Sequence, residues 1–81
     1  MATYKCDIKK QFGKFSGLVW KASDRPGKAL FDTEVSAQGA ADQVVAAIAK
    51  SGFGDGDEVI FRDNAYTSLT ELKTTLARAP Y

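Results

Sequence analysis

Eighty-one residues, 44% apolar and 26% charged, make a single domain, 1–81, with a small core. One cysteine (Cys6) and no histidine exclude a disulfide framework, a cysteine-based zinc knuckle, histidine-ligated metal and Ser-His or Cys-His nucleophile pairs. The net charge of +1 divides into +5 over residues 1–28 and −4 over residues 29–81, a dipolar distribution.

TYKCDIKKQ (3–11) alternates, with Tyr4, Cys6 and Ile8 on one side and Lys5, Asp7, Lys9 and Gln11 on the other. That is the period-two pattern of a strand with one buried face. Lys10 falls on the apolar side and marks the strand's end or an edge where its ammonium reaches water. FGKFSG (12–17) supplies turn glycines, and LVWKAS (18–23) reads as a second strand. Leu18, Trp20 and Ala22 share the face expected to join the core; Val19, Lys21 and Ser23 share the other. DRPGK (24–28) is a turn, because Pro presets φ and Gly permits positive φ. ALFDTEV (29–35) alternates again, Phe31, Thr33 and Val35 against Leu30, Asp32 and Glu34, and completes an antiparallel meander.

Ser36 is placed to cap a helix over AQGAADQVVAAIAK. Ala41, Val44, Val45 and Ile48 form its apolar stripe. Gly39 weakens the first turn by about 1 kcal/mol relative to Ala. Lys50 suits the negative C-terminal end, and Gly52 suits the left-handed position after it. EVIFR (58–62) reads as a short strand buried on both faces and closed by RDNA. Ser68-Leu69-Thr70-Glu71 matches a capping box, followed by Leu69, Leu72 and Leu76 on one helix edge; Pro80 ends it. The expected fold is α+β: a small, single-layer, mostly antiparallel sheet in the order β-β-β-α-β-α, with the helices packed on one face. A crossover would lay the fourth strand beside the first in parallel.

Two constellations stand out. SGFGDGDEVIFRDNAY (51–66) crowds Asp55, Asp57 and Glu58 into a glycine-rich turn, with Asp63 beyond the apolar run. A calcium loop needs about six oxygen ligands and a late bidentate Glu, but Val59, Ile60 and Phe61 follow at once. The turn is therefore expected either to solubilise a hydrophobic strand or to offer an acidic patch to a basic protein partner. The second constellation is basic: Lys5, Lys9 and Lys21 on outward strand faces, with Arg25 and Lys28 in the next turn. It is a candidate nucleic-acid surface, with Phe12 and Phe15 nearby, although the placement of Trp20 beside Leu18 assigns that ring to the core. No phosphate-cradling glycine motif is present, Asp32 and Glu34 share an exposed strand face, and Cys6 reads as a small core side chain. The expectation is a protein without enzymatic activity and without a cofactor. No apolar run reaches membrane-span length, and MATYKCDIKK lacks the apolar segment of a signal peptide, so a cytoplasmic location is expected.

A short meander (TYKCDIKKQ, LVWKAS, ALFDTEV), an Ala-rich helix (AADQVVAAIAK), and a strand opened by acids (GDGDEVIF) resemble, as a layout, the small phage-encoded anti-CRISPR proteins that act on type I surveillance complexes. The resemblance implies a stoichiometric inhibitor in a bacterial host cell, a monomer or weak dimer. It would bind a Cas effector subunit of a Cascade-type complex and block target DNA binding. Many such inhibitors present carboxylates to the lysines and arginines that would hold DNA. Asp55, Asp57, Glu58 and Asp63 are the residues that would do so here. The basic first third departs from a uniformly acidic DNA mimic.

Overall fold

A computed structural model describes residues 2–25 and 30–81. Seven elements follow in order: β1 (Thr3–Gln11), β2 (Lys14–Lys21), β3 (Phe31–Glu34), α1 (Ala37–Lys50), β4 (Glu58–Phe61), β5 (Asn64–Tyr66) and α2 (Leu69–Arg78). The strands form one sheet ordered β3-β2-β1-β4-β5. β1 lies antiparallel to β2 and parallel to β4, and the other neighbours are antiparallel. This is the expected α+β class, with a mostly antiparallel sheet and the fourth strand beside the first.

Alternation along β1 sends Tyr4, Cys6 and Ile8 into the core, and Val59 and Phe61 follow from β4. α1 supplies Ala40, Ala41, Val44 and Ile48, and α2 supplies Leu72 and Leu76. Small alanines let α1 approach closely, and truncating Leu72 or Leu76 to Ala would cost about 2–5 kcal/mol. Both helices start as their caps dictate: Ser36 Oγ accepts the Gly39 N–H at 3.0 Å, and Ser68 Oγ accepts the Glu71 N–H at 3.4 Å. A Cβ on Gly39 would meet the end of the flexible Glu34 side chain, whose carboxylate accepts a hydrogen bond from Gln43 Nε2 at 3.1 Å. Lys73 and Asp42 join the two helices across 2.8 Å.

The structure departs from the sequence expectation in four places. The turn after β1 uses only Phe12 and Gly13, so β2 begins at Lys14 rather than Leu18. Cys6 then faces Val19, Ile8 faces Gly17 and Lys10 faces Phe15 across the ladder, which turns Phe15, Gly17 and Val19 toward the helices. Leu18 and Trp20 point to the opposite side, away from the two helices, and are half-buried there. Second, an irregularity between Phe15 and Gly17 pairs them with Glu34 and Phe31, so Glu34 faces α1 instead of sharing an exposed face with Asp32. Third, Arg62 and Asp63 take positive φ of 49° and 69° and fold the chain back into β5, where a simple strand end was expected. Fourth, β4 is buried on one face only: Val59 and Phe61 are buried, whereas Glu58 and Ile60 are half-exposed. Residues 26–28 of the expected turn at 24–28 and the first residue of the expected 29–35 strand lie outside the described residues. No helix among the described residues is long and apolar enough to cross a membrane.

Candidate functional site

The acidic turn enters β4. Asp57 Oδ1 accepts the Ala2 N–H at 2.7 Å and Oδ2 accepts the Gly54 N–H at 3.0 Å. These two backbone bonds, Ala2 first, hold its carboxyl below the ordinary range for an aspartate. Glu58 N–H donates to the Ala2 carbonyl at 3.0 Å, and Glu58 Oε1 accepts from Thr3 Oγ at 3.3 Å. Two of the three clustered acids therefore tie the start of β1 to the start of β4. Asp55 stays exposed at the turn. Asp63 sits in the hairpin at the other end of β4, and a four-residue strand separates it from Glu58 by roughly 13 Å or more. The four carboxylates do not form one patch. Among the described residues no group of three or more His, Cys, Asp or Glu side chains is placed to hold a metal ion.

The basic set is divided as well. Lys5 pairs with Trp20 and Lys9 with Ser16, which puts both lysines on the open sheet face. Lys21 pairs with the core residue Tyr4, so it leaves from the helix side, at the strand's end, and is exposed. Arg25 is exposed beyond β2, and Lys28 lies outside the described residues.

What the sheet does bring together is a row of aromatic, basic and aliphatic side chains on the face away from the two helices. Trp20 stands opposite Lys5, Lys5 is level with Ile60, and Ile60 is opposite Ala65, so four strands contribute one residue each. At a strand spacing of about 4.8 Å the row spans roughly 14 Å. Leu18, opposite Asp7, lies one pleat away from Trp20 on the same face. Lys5, Asp7, Trp20, Ile60, Arg62 and Asp63 border a shallow depression there. Arg62 is held at its rim: its guanidinium lies 4.9 Å from the Phe61 ring and 5.0 Å from the Tyr81 ring, and Nη1 donates to the Pro80 carbonyl at 3.0 Å.

Trp20 is the residue that sequence reasoning misplaced. The signal lay in Phe15 and Gly17: once FSG belongs to the strand, Phe15 is in phase with Val19 and opposite in phase to Trp20. Elsewhere the chemistry is quiet. No charged side chain among the described residues is buried, and burial first, then the neighbouring Asp7, push the Cys6 thiol up to about 12. No family model, no curated protein and no solved structure matches this chain.

Proposed function

We propose that this protein is a non-enzymatic inhibitor that docks on a protein subunit of a bacterial nucleoprotein defence complex, of the anti-CRISPR kind, through its open sheet face. The observation that carries the surface is Trp20: the chain's one tryptophan lies half-buried off the core, on the sheet face that no helix among the described residues covers, next to Leu18 and across Lys5 from Ile60. An aromatic and aliphatic side chains on the two strands that flank a charged central strand supply the anchor types found at binding hot spots. The face carries both signs, Lys5, Asp7 and Lys9 along the central strand with Glu58 on β4, which suits a protein partner better than a continuous polyanion. The layout resemblance supplies the class of partner. Asp55, the one of the three clustered acids outside the β1–β4 junction, is a secondary contact.

The test is capture of a purified type I surveillance complex by the tagged protein, with Trp20→Ala and Asp55→Lys run in parallel. Trp20→Ala is expected to weaken capture at least 30-fold, the scale of a 2 kcal/mol hot spot, while melting cooperatively. Asp55→Lys is expected to weaken it less. Unchanged capture by a folded Trp20→Ala protein would refute the sheet-face site. Loss in Asp55→Lys alone would move the contact to the acidic turn. No capture by the unmutated protein would remove the proposed partner.

A further inference from the structure

The β1–β2 hairpin ends in a two-residue turn, Phe12–Gly13, with φ of 52° and 75°. Asn, Asp and Gly are favoured at such a first position; a bulky aromatic there is uncommon and strained. Strain is normally offset by packing, but Phe12 has none, its relative exposure being 102%. The ring serves neither the turn nor the core. A strained residue with no structural return is a pointer to function.

Its surroundings give the chemistry. Lys9, Lys10 and Lys14 flank the tip, and residues 8–16 contain no acid. Lys9 and Lys14 lie on the open side, opposite Ser16 and Gln11. Lys10 lies on the other side, its Nζ 5.6 Å from the Phe15 ring centroid. The charges therefore straddle the exposed ring. Asp32 on β3 is the one acid bordering the shallow depression beside Phe12 and Lys14. The tip also projects: β4 pairs with β1 only at Thr3–Lys5, and β3 pairs with β2 at Phe15 and Gly17, so residues 11–14 have no third strand among the described residues.

We infer that this tip binds single-stranded nucleic acid, with the Phe12 ring stacked on a base and Lys9, Lys10 and Lys14 paired with the flanking phosphates. One aromatic plane matches one base, and ammonium groups on both sides match a backbone that continues past it. A bilayer fits less well. Gln11 and Lys14 bracket the single apolar side chain and leave too little apolar surface to bury. The site shares Lys9 with the Trp20 face but is centred on Phe12 at the far end of the hairpin, and it stands without the partner proposed above.

The test is fluorescence anisotropy of a labelled single-stranded oligothymidine, using the full chain, Phe12→Asn and Trp20→Ala. The unmutated protein is expected to bind at low salt, with log K falling against log salt at a slope of about −2 for three phosphate contacts. Phe12→Asn installs the preferred Asn-Gly turn, so it should melt at higher temperature and yet bind about tenfold more weakly. Trp20→Ala should bind as the unmutated protein does. No binding at low salt, equal binding by Phe12→Asn, or loss confined to Trp20→Ala would each overturn the assignment. So would Phe12-dependent binding to vesicles of anionic phospholipid with none to the oligonucleotide, which would make the tip a membrane contact.

Discussion

Asp57 Oδ1 accepts the Ala2 N–H at 2.7 Å, although the two residues are 55 positions apart. The same carboxylate holds Gly54 N–H through its other oxygen. An acid in the most conspicuous polar turn of the sequence is thus a clasp between the first strand and the fourth.

A pH dependence follows from that clasp. The folded pKa of Asp57 is depressed below 3.8, so its contribution to stability is fully present above that value and is lost as pH falls through the folded pKa. Asp57→Asn should lower the melting temperature at neutral pH and flatten the acid side of the stability profile. Thermal melts between neutral and strongly acidic pH measure both. An unchanged acid limb in the variant would show that other carboxylates dominate it.

Gly17 makes a packing prediction. A Cβ at this position would overlap the Phe31 ring and meet Val44 Cγ2 at 3.1 Å. Gly17→Ala must displace the ring that closes β3 onto β2, and it should cost about 1–3 kcal/mol in denaturant unfolding. A cost near zero would mean that Phe31 swings aside freely.

Cys6 is 4% exposed and its thiol is held neutral. A disulfide reagent at neutral pH should label the native protein far more slowly than the unfolded chain. The sign for stability is opposite to that of Asp57. The native thiol stays protonated toward pH 12 while the unfolded one ionises near 9.0, so stability should fall as pH rises through that interval. Cys6→Ala would remove this contribution to the alkaline slope at the cost of some packing. Rapid native labelling at neutral pH would contradict the burial.

Much of the fold was legible in residue order. Tyr4, Cys6 and Ile8 announce a strand face, Ser36 and Ser68 announce helix starts, and the Leu72–Leu76 pair announces a packed helix edge. β5 was not legible: Asn64 and Ala65 are poor strand formers, and they pair because β4 offers them a neighbour after a tight turn. The acidic turn was legible as a cluster but not as a clasp, because the Ala2 partner is remote in sequence.

The sequence by itself determined the α+β class, the helix caps, the inner face of β1, and the absence of histidine and disulfide chemistry. These depend on composition and on periodicities within a few residues. Only the tertiary structure decided which face of β2 is buried. Leu18 and Trp20 are the more apolar pair locally, yet the two-residue Phe12–Gly13 turn fixes the register so that Val19 falls opposite Cys6. A strand's side-chain period is two, so the pairing partner, not the strand's own hydrophobicity, sends Trp20 to the open face.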